Sequence, residues 1–507
     1  MQHFPGETLT ENVPSPLQYF DIDMSAKLFK SRRMYAAPVQ HWWVVFNPDR
    51  EGLPILISQH AYKLLNSFHS GKTAGAALLE TMAASELDFG SAVQLIDYFE
   101  RKGFLRGAPT PERYTATNFP EAHPSSLSIW FHINNHCNLD CEYCFVDKFE
   151  STMSDEVIRQ SVNSIASTVN IYNIKSVQLK FAGGEPTLSL ARAAAVREML
   201  AARLEPYGAA LHSGFISNGT IVNRRLIEFL KSTKSGIAIS LDGFGEEGHD
   251  IYRRYKGTEK GSWKKISTNI DRLISEGIRP SINATISEQS CDTLPRLAEW
   301  VVEKGLRIRL SVVRQPSNTW LPGKSREREY EKMIVKLRDS FEATFEILER
   351  PEYFIDLTNG LDICELHFAT PATTACCGIG NSHIVIQDDG RIASCPMTIR
   401  EMSAVPASDD LVLSARQTVK YWDPSSRNAS PEANCLDCQW FPVCVSGCPV
   451  TNERMKGTPF TMSPLHSFYE YVIPRYVQFY GKKLFQATDV LRLNELHVID
   501  SESFNAE

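Results

Sequence analysis

The chain has 507 residues, 43% of them apolar and 22% charged, with a net charge of −7. That length leaves room for two to four domains; the acidic balance argues against a nucleic-acid partner, and no apolar run approaches the roughly 20 residues that span a bilayer. The opening Met1-Gln-His-Phe-Pro-Gly-Glu has neither the basic start nor the apolar stretch of a secretion signal, so the expected location is cytoplasmic and the twelve cysteines are expected as thiols rather than disulfides.

Residues 41–57 carry two β-like stretches, His41-Trp-Trp-Val-Val-Phe46 and Leu53-Pro-Ile-Leu-Ile57, around the turn signal Asn47-Pro-Asp-Arg. Ser58 is placed to cap a helix whose apolar positions Ala61, Leu64, Leu65 and Phe68 recur at helical spacing, with Gly71 ending it. A second helix is expected near Thr73, and a third from Ser91 through Val93, Ile96 and Phe99 to Gly103. Strand–turn–strand followed by three short helices resembles the winged-helix peptide-recognition element of peptide-modifying enzymes. The resemblance implies a domain over residues 1–105 that adds a leader peptide as a strand to an exposed sheet edge. A structural cap without a ligand is the plainer alternative, and a DNA-reading winged helix is disfavoured by the scarcity of basic residues along the helices. Residues 106–125, with Pro109, Pro111, Pro120 and Pro124, read as a linker.

From 127 to about 315, β-like runs alternate with helical patterns. The expected strands are 127–133, 176–182, 211–217, 236–241, 280–286 and 306–313; between them one amphipathic helix uses Val196, Met199, Leu200 and Leu204, another Leu226, Phe229 and Leu230. Alternation of this length predicts an α/β fold with a parallel sheet and right-handed crossovers. Six units suggest an open, partial (β/α)6 TIM-type barrel over 126–320, with ligands at the C-terminal strand ends.

Directly after the first of these strands stands Cys137-Asn-Leu-Asp-Cys141-Glu-Tyr-Cys144, three thiols at C-x-x-x-C-x-x-C spacing. An iron–sulfur cubane takes four ligands, so three cysteines on one loop hold three irons and leave the fourth open. A zinc loop is the alternative, though zinc sites more often use C-x-x-C pairs. With Tyr143 before the last cysteine, the triplet resembles the signature of radical S-adenosylmethionine (radical SAM) enzymes, whose open iron chelates the amino and carboxylate groups of the cofactor. The later strand ends extend the likeness. Gly183-Gly184-Glu185-Pro186 looks like the family's motif for the methionyl amino group. Ser217-Asn218-Gly219-Thr220 resembles the segment near the ribose and carboxylate. Ser240-Leu-Asp242-Gly243, then His249-Asp250 and Arg253, then Gly261-Ser262, match a subgroup order in which the serine and arginine are candidates for the cofactor carboxylate. Each alone is ordinary turn chemistry; in order, after the triplet, they imply a radical-generating site.

A second cysteine field runs through Cys364, Cys376-Cys377, Cys395, Cys435-Leu-Asp-Cys438, Cys444 and Cys448; Cys291 stands apart and reads as buried filler. Residues 384–395 read as a β-hairpin turning at Asp389-Gly390. Together these resemble the cysteine-rich SPASM extension of radical SAM enzymes, which implies two auxiliary [4Fe–4S] clusters. One would use Cys377 (or Cys376), Cys395 and Cys448, with a fourth ligand from Cys376 or Cys364, or none; the other Cys435, Cys438 and Cys444. Where the family has its last cysteine this chain has His466, either a substituted ligand or a bystander. Sulfatase-maturing relatives carry an aspartate where this chain has Pro396, which disfavours that activity. Residues 468–480 suggest an aromatic helix broken at Pro474, and residues 495–507 are expected to fray.

The resemblance therefore implies a peptide maturase: S-adenosylmethionine and a [4Fe–4S] cluster at Cys137, Cys141 and Cys144, a ribosomally made precursor peptide as substrate, and a ferredoxin or flavodoxin as electron donor. No nucleic-acid or membrane partner is expected. The expected divisions are 1–105, linker 106–125, barrel 126–320, helical connection 321–363, SPASM extension 364–480 and tail 481–507. An enzyme oxidising a residue of a folded protein is the alternative within the class, and a zinc-stabilised peptide-binding adaptor the alternative outside it.

Overall fold

The computed structural model describes residues 22–84, 87–114, 124–314, 324–353, 355, 360–369, 377–399, 404–420, 422, 433–488 and 497–499. The first part of the chain builds two small sheets around three helices. β1 (Lys27–Lys30), β2 (Tyr35–Val39), β3 (Trp42–Phe46) and β4 (Ile55–Ser58) precede helix Gln59–Ser67; β5 (Lys72–Thr73), helices Ala74–Ala83 and Phe89–Arg101, and β6 (Leu105–Arg106) follow. Ser58, Thr73 and Asp88 each accept a backbone N–H from the first turn of the helix they precede, satisfying a donor the helix itself leaves free. The expected strand pair and three helices are therefore present. β2 and β1 were not in that expectation, since Pro38 interrupts the strand pattern of one and the other is only four residues long.

Seven consecutive strands form the parallel heart of a nine-stranded sheet: β7 (Ser126–Asn134), β8 (Ser176–Gly183), β9 (Ala210–Ser217), β10 (Gly236–Ser240), β11 (Ser281–Ile286), β12 (Arg307–Val312) and β13 (Leu361–Ile363). All six expected strands are there. On β8, Val177, Leu179 and Phe181 are buried in the same core as Val196 and Leu200 of the helix Leu190–Leu204, while Gln178 and Lys180 alternate to the other face.

The sheet does not respect the divisions drawn from sequence. β13 lies inside the expected helical connection and joins β12; β14 (His383–Ile386) pairs in parallel with β7, and β15 (Ile392–Ala393) closes the hairpin on it. Ile384, Val385 and Ile386 are all 0% exposed, as suits a strand covered on both faces. The helix His466–Ala487 runs unbroken through Pro474, contrary to expectation. A proline inside a helix costs about 3 kcal/mol; Phe468, Val472, Ile473, Val477, Phe479 and Tyr480 are buried along that helix, and each large apolar side chain buried returns about 1.5–3 kcal/mol. The 480/481 boundary thus falls inside a helix. Nor is all of 495–507 frayed: β16 (Val498–Ile499) pairs antiparallel with β4.

Candidate active site

The cysteine triplet leaves the end of β7, and the first residues of its loop are clamped by β8. Gly184 N–H donates to Asn134 O and Glu185 N–H to His136 O, both at 2.9 Å. The two glycines serve this closure. A Cβ on Gly183, whose φ is +143°, would stand 2.2 Å from Asn134 O, and one on Gly184 2.2 Å from His136 O. What comes close to both glycines is the backbone of the cysteine loop.

Glu185 is fully buried and holds the next strand end. Its Oε1 accepts from Thr187 N–H (3.0 Å), Thr187 Oγ1 (2.5 Å) and Ser217 Oγ (2.9 Å); Oε2 accepts from Asn218 N–H (2.7 Å). Burial pushes this carboxyl above its ordinary range, and the four donors oppose the rise. Oε1 is saturated, whereas Oε2 retains a lone pair. Pro186 opens the short turn that follows. Asn218 in turn donates to Asn138 Oδ1 (2.8 Å) and toward Cys137 Sγ (3.7 Å). The chain Glu185–Asn218–Cys137 thus fixes the loop from strand ends that lie more than forty residues away in sequence.

Tyr143, Asp242 and Arg253 meet on the other side of the loop. Tyr143 OH donates to Asp242 Oδ2, Arg253 Nη1 donates to Tyr143 OH at 2.5 Å, and the Arg253–Asp242 pair closes at 3.5 Å with both side chains almost wholly buried. His249 holds this group in register. Its Nδ1 accepts the Asp242 N–H (3.2 Å), its Nε2 pairs with Ser262 Oγ (3.0 Å), and Ser262 donates to Arg253 O (2.7 Å). Burial, helped by Arg253, holds the imidazole well below its usual range, so it is neutral. Ser240 ends β10 half-buried. Burial raises the Cys137 thiol and pushes Cys141 up to about 11, the latter opposed by Arg253. Lys148, absent from the sequence reading, is paired with Asp140 at 3.0 Å and reaches Cys141 O at 3.4 Å.

On the inner face of the sheet, toward the N-terminal halves of β9–β12, lies a half-open cavity of about 660 Å³, which the cysteine loop and the strand-end residues above do not line. Gly214 and Ala238 leave room, and Gln178, Lys180, Asn283 and Arg309 line it. Ile237, Ile308 and Leu361 line it too, so the space is mixed in character rather than the packed interior of a closed eight-stranded barrel.

The second cysteine field gathers into two groups. Cys395 is pushed up to about 12 by burial, with Cys448 and Cys377 adding to the rise. Cys444 is pushed up to about 12 by burial, with Cys438 and Cys435 adding. Cys376 lies outside the described residues. Cys364 Sγ accepts from Arg309 (3.4 Å) and Arg314 (3.5 Å), and Arg314 also counters the burial of Cys448. His466 pairs with Glu470 at 3.4 Å, and Glu470 in turn raises Cys438, which puts the histidine on the side of the Cys435–Cys438–Cys444 group. Asp388, at the hairpin turn, accepts from Asn135 (2.6 Å) and Ser151 (2.7 Å), tying this field to the first cysteine loop. Asn134, Asn138 and Arg314 went unnoticed in the sequence because their roles depend on contacts between distant segments.

Residues 131–289 match the family described as the Radical SAM superfamily. The chain is 24% identical over 336 residues to the cysteine-type anaerobic sulfatase-maturating enzyme of Clostridium novyi (strain NT), covering 63% of this chain and 87% of that one. It is 22% identical over 354 residues to the antilisterial bacteriocin subtilosin biosynthesis protein AlbA of Bacillus subtilis (strain 168), covering 68% and 73%. Among solved structures, native anSMEcpe with bound AdoMet aligns with a TM-score of 0.54 and 18% identity over 70% of this chain and 99% of that one. The same protein with bound AdoMet and Kp18Cys peptide gives 0.53 over the same shares. The fold is shared.

The site fits the family's cofactors, S-adenosylmethionine and [4Fe–4S] clusters. Arg253 Nε is buried without a hydrogen-bond partner, Glu185 Oε2 keeps an acceptor site, and three thiols share one loop beside them. Among the described residues no three His, Cys, Asp or Glu side chains converge as they would around one ion; thiols at the corners of a cubane surround a larger body of iron and sulfide. Residues 131–289 therefore carry the match to the Radical SAM superfamily, and the residues gathered at their strand ends agree with it.

Proposed function

We propose that the chain is a radical SAM peptide maturase that abstracts hydrogen from a ribosomally made precursor peptide and leaves a crosslink or an oxidised residue. When bound, the cluster and S-adenosylmethionine supply a 5′-deoxyadenosyl radical. The chain's own residues do the rest. Cys137, Cys141 and Cys144 would hold three irons. Gly183, Gly184 and Pro186 shape the turn that clamps their loop, and Glu185 would accept from the cofactor ammonium through Oε2 while fixing Ser217 and Asn218. Arg253, with Ser240 nearby on β10, would face the cofactor carboxylate, held there by Tyr143, Asp242 and neutral His249. Cys377, Cys395 and Cys448 would hold one auxiliary cluster, and Cys435, Cys438 and Cys444 the other, with His466 as a candidate ligand to the latter.

The observation that carries this reading is the cysteine triplet set beside Glu185 Oε2 and the buried Arg253, in a chain that also gathers two further thiol groups. The names of the relatives, a subtilosin biosynthesis protein and sulfatase-maturating enzymes, support a peptide or protein substrate. Oxidation of a residue in a folded protein is the second reading, favoured by the sulfatase-maturating relatives. The residue after Cys395 weighs against it: Pro396 begins a short 3₁₀ turn and offers no carboxylate. A cytoplasmic location and a ferredoxin or flavodoxin donor complete the proposal; among the described residues no helix is long and apolar enough to cross a membrane.

The test begins with iron and sulfide analysis of anaerobically purified protein. Zinc without sulfide would sink the enzyme reading in favour of an adaptor. Dithionite and S-adenosylmethionine should then yield 5′-deoxyadenosine, and Cys141→Ala should abolish it.

A further inference from the structure

The cavity on the inner face of the sheet is one-sided in charge. Lys180, Arg307 and Arg309 line it, and Asp362 is the only carboxylate among the described residues that do. That excess of cations sits inside a chain whose net charge is −7. Asp362 is already engaged, pairing with Arg309 Nε at 3.3 Å, while Arg309 Nη2 donates to Cys364 Sγ at 3.4 Å. Lys180 has no ion-pair partner among the described residues. Its Nζ donates to the neutral Ser128 Oγ at 3.1 Å.

The floor beside that ammonium is bare. Lys180 lies opposite Gly214 and Gly214 opposite Gly236, so two strand widths of about 4.8 Å each carry no side chain. A Cβ on Gly236 would meet nothing within 4 Å. Beyond the gap, Asn283 lies opposite Arg309, and both line the same space. Phe368, stacked on Tyr476 with ring centroids 4.2 Å apart, supplies an apolar wall. The basic groups repel one another across this space. Burial, with Arg309 adding, holds Lys180 below its ordinary range, and His383 is pushed down to about 4 by burial, with Lys180 and Arg309 adding. A carboxylate entering there would accept from an ammonium and a guanidinium and offset their repulsion, with its methylene stem against the aromatic wall.

We propose that this cavity is a binding site for a carboxylate, and that its occupant is an acidic side chain of the peptide substrate, with Lys180 as the main contact and Arg309 and Asn283 in support. The peptide part rests on the maturase reading; the carboxylate part rests on the cavity alone.

The test is saturation-transfer NMR on the anaerobically purified full chain with two blocked tripeptides, acetyl-Gly-Glu-Gly-amide and acetyl-Gly-Gln-Gly-amide. The glutamate peptide should bind saturably, and the neutral one at least about tenfold more weakly, as the loss of a charge-assisted hydrogen bond requires. Lys180→Met should weaken the glutamate peptide to the same degree and leave the glutamine peptide unchanged. Lys175→Met, which removes a surface cation bonded to Asn173 at 2.7 Å, should change neither. Gly236→Leu puts a side chain into the open floor and should block the glutamate peptide while the circular dichroism stays native. If Lys180→Met does not fold, Lys180→Gln carries the same expectation. Equal binding of the two peptides, unchanged binding in a folded Lys180 variant, or unchanged binding in folded Gly236→Leu would overturn the proposal. Binding of glutarate without the glutamate tripeptide would overturn its peptide part and make this a site for a free small acid. None of these measurements uses S-adenosylmethionine, so failure of the maturase reading shows separately, as absence of 5′-deoxyadenosine from the reconstituted enzyme.

Discussion

The Asn218 side-chain amide faces the Cys137 sulfur at 3.7 Å and holds Asn138 at 2.8 Å with the same nitrogen. One side chain therefore orients Cys137, a candidate cluster ligand, and the residue after it. Groups of this kind typically cost about 10–100-fold in metal affinity or activity when removed. Asn218→Ala should lower both iron retained after anaerobic reconstitution and the rate of S-adenosylmethionine cleavage by that order. Unchanged iron content together with unchanged cleavage would show that the amide does not support the cluster loop.

Arg253, Asp242 and Tyr143 form one buried unit, and Arg253 is its only cation among the three. Removing one partner of a buried ion pair leaves the other charge uncompensated, at about 3–5 kcal/mol. Arg253→Met should destabilise the protein by that order in urea unfolding. Tyr143→Phe, which keeps both charges, should cost only about 1–3 kcal/mol from the lost hydrogen bonds. If the two variants are equally stable, Asp242 is not relying on Arg253.

The neutral state of His249 gives a pH dependence with a definite sign. Its pKa in the folded chain lies well below the ordinary 6.5, because burial and Arg253 both disfavour the cation. Between the folded value and 6.5 the unfolded chain binds the extra proton, so stability rises with pH across that window and is lost as pH falls below about 6.5. Protonation at Nδ1 would also set its new N–H against the Asp242 N–H now donating to it. The urea midpoint should drop between pH 7 and pH 5.5, and the drop should be smaller in His249→Gln. An equal drop in both proteins would place the sensitivity elsewhere.

The barrel was legible in the sequence because its strands and helices follow local periodicity, and three of the caps, Ser58, Thr73 and Asp88, follow local rules too. The site was legible where chemistry sits in short motifs. What escaped was whatever depends on distant contact. β14 belongs to the barrel edge only because Ile384–Ile386 find β7, and β16 exists only because β4 offers an edge. Pro474 reads as a helix breaker until the apolar residues buried on both sides of it are known. The two glycines of the second strand end were legible as a motif, whereas the loop backbone packed against them was not, because it depends on where β7 and β8 lie together.

That contact yields the sharpest test. A methyl group on Gly184 would meet the carbonyls of His136 and Asn135 at 2.2 and 2.6 Å, and these are backbone atoms at the root of the cysteine loop that cannot rotate away. Gly183 adds a positive φ that non-glycine residues rarely adopt. In Gly184→Ala the loop must move off β8, breaking the bonds from Gly184 and Glu185 to Asn134 and His136. Overpacking of this kind costs about 1–3 kcal/mol, less than a domain's usual stability of about 5–15 kcal/mol, so the protein should still fold. The thiols, however, should lose their common register. The variant should retain near-native circular dichroism yet bind the iron of the radical site poorly, leaving only that of the Cys377–Cys395–Cys448 and Cys435–Cys438–Cys444 groups. Full iron content with normal 5′-deoxyadenosine formation would mean that the glycines are not needed to seat the loop.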